Sequence, residues 1–175
     1  MPKIKRLIII AAAGIGTFAQ ETNAGTLTRL GDLTQVIVPA YAFGLAMNEE
    51  GWAGAQEFAL SLGATEIAVY GLKSIINEQR PNKKDNNSFP SGHTAAAFSG
   101  ATFIHKRYGI KRAIIPYVLA AFTGYTRVAG EKHHWHDVIA GAAISSAMTW
   151  IFVSKYNIGA TVSPDEMKLN FKINF

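Results

Sequence analysis

The sequence predicts an all-α fold, a compact bundle of five to six helices whose chemistry-bearing residues gather at helix ends on one pole. Three observations lead there. After the first 24 residues come five apolar or amphipathic segments, at about 33–47, 54–79, 91–107, 112–128 and 137–155, each long enough for a helix. None of them alternates as a strand would. Between them stand turn formers: Asn48 to Gly51, the polar stretch Arg80 to Phe89 with prolines beside it, Tyr108-Gly109, and Gly130 to Lys132. The chain of 175 residues supports one domain with a sizeable core, and no internal repeat or low-complexity tract divides it.

Taken in order, the first element is MPKIKRLIIIAAAGIGTFAQETNAG. It has a basic start (Lys3, Lys5, Arg6), an apolar stretch from Leu7 to Ala19, and small residues ending at Ala24. Residues 1–24 therefore read as a signal peptide or as a first membrane helix, and either would export the rest of the chain. Residues 25–160 form the helical domain. The tail, 161–175, contains MKLNFKINF, whose alternation fits a short strand or a frayed end.

Most uninterrupted apolar runs fall short of the roughly 20 residues that span a bilayer, and Gln56, Glu57 and Glu66 interrupt the second segment. The mean hydropathy of +0.11 is low for a multispan chain. Against this, the basic stretch His105 to Arg112 falls on the same side as the basic N-terminus if the segments alternate across a membrane, although Glu49 and Glu50 fall there too. The reading adopted is membrane association, in a bacterial-type inner membrane with the site facing the periplasm. Its rival is a soluble periplasmic bundle released by signal cleavage. Trp52, Trp135 and Trp150 are candidates for an interfacial belt or for core positions.

Lys and Arg number 17 against 12 Asp and Glu, a formal charge of +5 that suits an anionic partner. The basic residues form no stripe with interleaved aromatics, so nucleic acid is set aside in favour of phosphate on a lipid or small molecule. There are no cysteines, which removes disulfides, zinc-thiolate sites and cysteine nucleophiles.

Three clusters carry chemistry. Lys73 and Arg80, seven apart at the end of a predicted helix, share a face and reach the same point beyond it; the plain alternative is that they complement the helix dipole. In SFPSGHTA, Ser91 is a good N-cap and Gly92 leaves its N–H open to an anion, while His93 sits in the first helical turn. In GYTRVAGEKHHWHDVIAGAA, Arg127 closes one helix, and His133 and Asp137 are four apart at the start of the next, where the carboxylate can orient the imidazole. His133, His136 and Asp137 also allow a zinc reading, but adjacent helical positions diverge by about 100° and no metal is assigned. His105 reads as structural, and His134, Trp135 and His136 as rim residues. Consecutive antiparallel helices bring all three clusters to one pole.

The strings K-x6-RP (Lys73, Arg80, Pro81), PSGH (Pro90 to His93) and R-x5-H-x3-D (Arg127, His133, Asp137) resemble, in this order, the signature of the type 2 phosphatidic acid phosphatase superfamily. That superfamily also holds bacterial acid phosphatases and vanadium haloperoxidases. The resemblance runs from Lys73 to about Gly141; Thr126 stands where the family usually has serine, and keeps the hydroxyl. It implies that Lys73, Arg80 and Arg127 bind phosphoryl oxygens with Ser91 and the Gly92 N–H. It further implies that His133 attacks phosphorus, Asp137 orients it, and His93 protonates the leaving oxygen. Spacing alone leaves open which histidine attacks. The function expected is a metal-independent, cofactor-free phosphatase acting on a lipid phosphate or diphosphate such as undecaprenyl diphosphate, phosphatidylglycerol phosphate or lipid A. The alternatives are a soluble non-specific acid phosphatase, a vanadium haloperoxidase, and a non-catalytic helical protein that binds anionic lipid.

Overall fold

A computed structural model describes residues 24–154 and the strands Tyr156–Val162 and Met167–Ile173. Its helices are α1 (Ala24–Glu50), α2 (Trp52–Ile75), α3 (Gly92–Tyr108), α4 (Ile110–Ala129) and α5 (Trp135–Phe152). An antiparallel hairpin completes the described chain, β1 (Tyr156–Val162) with β2 (Met167–Ile173), in register from Tyr156 opposite Ile173 to Val162 opposite Met167. The alternating tail is thus the second strand of a pair, and the boundary expected at 160 falls inside β1. The leader expected over 1–24 lies outside the described residues apart from Ala24, which already opens α1.

Tight turns join the long helices where the sequence has glycine. Gly51 between α1 and α2 has φ of 66°, and Gly109 between α3 and α4 has φ of 89°, a region in which a side chain would be strained. Two helix bounds differ from expectation. The second helix ends at Ile75 rather than 79, because consecutive β-branched Ile75 and Ile76 and then Asn77 propagate a helix poorly. Ile76 turns extended, and Glu78 pairs with Asn87 in an isolated bridge. Arg80 therefore belongs to a loop and not to the helix face it was expected to share with Lys73. At the other junction α5 starts at Trp135, so His133 precedes its N-cap, His134.

Helix α3 is central and packs against each of the other four helices. Its buried residues are mostly small or hydroxylated, among them Ala95, Ala97, Ser99, Gly100, Ala101 and Thr102. This lets backbones approach closely: a Cβ on Gly100 would come within 3.0 Å of the backbone at Val38 and Pro39 of α1. Buried hydroxyls return to helix carbonyls, as in Ser61 to Phe58 at 2.9 Å and Thr65 to Ser61 at 2.9 Å, so they are not left unsatisfied. Large apolar side chains are instead turned outward: Leu60, Ile67, Ile75, Ile115 and Ile151 are all more than two-thirds exposed. All three tryptophans are exposed too, which excludes the core positions considered for them.

At the pole where α3 ends, Arg107 is buried and donates to Glu50 and Glu57, while Arg112 bonds Glu49 at 2.9 Å. The acidic turn and two arginines of the basic stretch, which fall on one side in the sequence, thus pair with one another here.

Candidate active site

The opposite pole holds a cavity of about 830 Å³. Its wall is assembled from helix ends and loops: the end of α2 gives Lys73, the loop after it Arg80, the start of α3 Gly92 and His93, the end of α4 Arg127, and the loop before α5 Lys132 and His133. Of the residues expected to act together, Ser91 and Asp137 are the exceptions, being fully buried behind this wall.

The cations are held in place. Lys73 Nζ donates to the carbonyls of Asn87 (2.8 Å) and Ser88 (3.4 Å), tying the 76–91 loop to α2. Arg80 Nε donates to Asp85 Oδ1 at 2.7 Å, and its terminal amino groups engage no hydrogen bond among the described residues. Arg127 is almost wholly buried; its Nη1 donates to Asp32 Oδ1 at 2.7 Å, Nη2 to the Thr28 carbonyl, and Nε to Thr126 Oγ1 at 3.3 Å. The Thr126 hydroxyl thus cradles the guanidinium while donating to the Thr123 carbonyl at 2.8 Å.

Ser91 is the N-cap of α3, accepting from the Thr94 N–H, and its hydroxyl also meets Thr94 Oγ1 at 2.9 Å. The capping role expected of Ser91 is thus filled, and its hydroxyl is engaged inside the fold. Gly92 does line the cavity, and a Cβ there would meet only Val69, at 3.7 Å. The start of α3 therefore presents open backbone and a dipole end suited to an anion.

His133 is 3% exposed, with its backbone N–H donated to the Arg127 carbonyl at 3.2 Å. Its Nδ1 lies 3.5 Å from Asp137 Oδ2, an ion-pair distance but outside hydrogen-bond geometry. The sequence predicted a helical i to i+4 pair; here Asp137 Oδ2 instead accepts from Ser88 Oγ at 2.6 Å and the His134 N–H at 2.7 Å, closing the first turn of α5. Burial first, then the Arg80 and Lys73 cations, push the His133 imidazole down from 6.5 to about 4, with Asp137 and the Ser88 carbonyl acting the other way. An imidazole so placed is neutral near pH 7 and can act as a nucleophile.

Sequence reasoning missed Ser88 and the α1 residues Thr28 and Asp32. Ser88 gave a signal only as a hydroxyl just before the Pro90 motif; Thr28 and Asp32 gave none, since they fall in a polar stretch ahead of the first apolar segment and match no motif. The zinc set that the sequence allowed also changes membership. Glu78, His136 and Asp137 place donor atoms within 4.8 Å of one another, without His133. His136 bonds Glu78 at 2.6 Å and stacks on His134, and none of the three lines the cavity.

The chain is 27% identical to the lipid A 4'-phosphatase of Helicobacter pylori, over 98% of this chain and 93% of that protein. It is 33% identical to the lipid A 1-phosphatase of Porphyromonas gingivalis over 81% of its own length, though it spans only 36% of that larger protein. Among solved structures it superposes on Aquifex aeolicus LpxE with a TM-score of 0.63 at 23% identity, covering 75% of this chain and 87% of that one. It also matches a transmembrane PAP2-type phosphatidylglycerolphosphate phosphatase of Bacillus subtilis, with a TM-score of 0.58 at 23% identity over 83% and 84% of the two chains. The PAP2 superfamily model matches residues 54–158, which covers the cationic loop, both cavity histidines and Asp137. With a helical fold shared with these structures and the three sequence strings meeting at one cavity, the chain belongs to the PAP2 superfamily and is a phosphoric ester hydrolase.

Proposed function

We propose that the protein removes a terminal phosphate from a membrane lipid through a phosphohistidine, with its site at the outer face of the bilayer. The observation that carries this is one cavity lined by Lys73, Arg80, Arg127, His93 and His133 at the end of a bundle whose sides are apolar. Lys73, Arg80 and Arg127 with the Gly92 N–H hold the phosphoryl oxygens. Neutral His133 attacks phosphorus, forming an N–P bond as the P–O bond to the lipid breaks. The leaving oxygen takes a proton from His93. Water, deprotonated by His93, then attacks the phosphohistidine, releasing phosphate and restoring His133. Asp137 stabilises the positive charge that develops on His133 in both steps.

Membrane embedding is supported by α1, whose span Gly25–Glu50 is long and apolar enough to cross a bilayer by length and composition. It is also supported by the outward isoleucines and by exposed tryptophans at both poles, Trp52 and Trp150 at one and Trp135 at the other. The Lys106, Arg107, Lys111 and Arg112 pole lies at the opposite end of α3 from the site, about 24 Å away for 16 residues of helix rise. Placing that basic pole in the cytoplasm puts the cavity at the periplasmic side. Among lipid phosphates, lipid A is the first to test, because two relatives carry its name.

The test is release of phosphate by separated membrane and soluble fractions, given lipid A, phosphatidylglycerol phosphate, undecaprenyl diphosphate and water-soluble monoesters, with His133→Ala as control. Membrane-bound turnover of a lipid that vanishes in His133→Ala is expected, with Lys73→Ala chiefly weakening substrate binding. Turnover of soluble monoesters alone, in the soluble fraction, would replace this reading with a periplasmic acid phosphatase.

A further inference from the structure

The site contains a carboxylate from an element that the family match does not include. Helix α1 ends four residues before residue 54, where the matched region begins, yet it is fastened to the cavity. The Thr28 carbonyl accepts from Arg127, and Thr34 Oγ1 meets Thr123 Oγ1 at 2.7 Å. Gly31 sits so close to α4 that a Cβ there would overlap Thr126 Oγ1 and Arg127 Nη2. One turn of α1 is thereby pressed against the arginine, and Asp32 lines the cavity there, with Thr28 and Gln35 on either side of it in the helix.

Asp32 Oδ1 lies 2.7 Å from Arg127 Nη1 and 3.1 Å from His93 Nε2, so a single carboxylate oxygen joins the phosphate cradle to the proposed acid. We propose that Asp32 is a positioning residue for the leaving-group step: it accepts the Nε2–H of His93 and fixes the ring so that its other nitrogen serves the leaving oxygen. The site then has two imidazoles, each with its own carboxylate, His133 beside Asp137 and His93 beside Asp32. Their environments differ in the sense their roles require. Asp137 is fully buried and serves a nucleophile; the Asp32 and His93 side chains keep 47% and 35% of their surface open, so a leaving oxygen can reach the imidazole and take the proton of the ring nitrogen that Asp32 does not hold. Proton balance is simple. His93 gives one proton to the departing lipid oxygen while Asp32 stays ionised, and His93 regains a proton from the water that hydrolyses the phosphohistidine.

This assignment rests on the phosphatase reading, and the experiment separates the two. Full-length protein in detergent is assayed with a nitrophenyl phosphate, whose phenolate departs without a proton, and with an alkyl lipid phosphate, whose alkoxide cannot. For Asp32→Asn the expected result is a loss of roughly 10- to 100-fold in kcat/KM on the alkyl substrate and under about 3-fold on the aryl one, part of the roughly 100- to 10,000-fold that a general acid supplies. Asp32→Glu should recover part of the alkyl activity. Adding Asp32→Asn to His93→Ala should cause less than about 3-fold further loss on either substrate, the part that belongs to the Arg127 contact. An equal loss on both substrates, or a further loss of about 10-fold or more in the His93→Ala background, would show Asp32 to act only as the counter-ion of Arg127 and overturn the assignment. A wild-type protein inactive on both substrates would overturn the phosphatase reading and this inference with it.

Discussion

Adding one methyl group to α1 reads how tightly the phosphate cradle depends on that helix. In Gly31→Ala the new Cβ would overlap the Thr126 hydroxyl and Arg127 Nη2, with Thr126 Cβ 2.9 Å away. Neither neighbour can retreat cheaply. Thr126 is fully buried and bonded to the Thr123 carbonyl, and Arg127 is bound to Thr28 and Asp32. The helix must then shift outward or the guanidinium must leave its place. Overpacking of this kind costs about 1–3 kcal/mol. A displacement of roughly 1 Å at a substrate-positioning group costs about 100-fold in rate. The measurement is kcat/KM for phosphate release together with thermal inactivation, comparing Gly31→Ala with Gly44→Ala. Gly44 lies in the same helix with nothing within 4 Å of its would-be Cβ, so alanine there should preserve activity and favour the helix by up to about 1 kcal/mol. Equal, near wild-type activity in both variants would refute the view that α1 seats Arg127.

Three further outcomes are expected. Because His133 is held down to about 4, it stays unprotonated as pH falls from 7 to 5 and takes up charge only near 4. The pH profile of kcat/KM for an aryl phosphate in the His93→Ala background, corrected for substrate ionisation, should then show no loss centred near 6.5, and such a loss would contradict the burial argument. Arg107→Ala strands the buried Glu50 carboxylate without its guanidinium and should cost about 3–5 kcal/mol, seen as faster thermal inactivation with little change in KM. Phosphate release should persist in excess chelator; a collapse reversed by zinc would make Glu78, His136 and Asp137 a working metal site.

The helical bundle was legible because α1 to α5 are long, and because Gly51 and Gly109 stand where the chain must turn sharply with φ above zero. The cavity residues were legible as types and spacings, since a phosphate site needs fixed cations and imidazoles and these are rare in helical cores. What spacing misjudged was the backbone that carries them. Lys73 with Arg80, and His133 with Asp137, both look like same-face helical pairs, yet in each pair one member sits in a loop. A seven-residue or four-residue interval places two side chains together by helical geometry only if the helix continues through both. Here the chain turns extended at Ile76 and caps at His134. The pairs still converge because backbone bonds fold the loops onto the helices: Ser88 N–H to Glu78, Ser91 N–H to the Asp137 carbonyl, and Asn82 N–H to Glu131, which ties the two site loops to each other.

Asp32 was illegible for a different reason. Three residues after Arg29, Asp32 looks like half of an ordinary surface pair on a helix, whereas its meaning comes from residues 61 and 95 positions away. A carboxylate in a pocket made for phosphate also runs against simple charge complementarity, since it repels the substrate it faces. That cost is offset if the carboxylate orients His93 to protonate the leaving oxygen, which is the step an alkyl lipid phosphate makes slowest. The prediction that separates aryl from alkyl substrates therefore tests whether Asp32 belongs to the chemistry or only to the packing of α1.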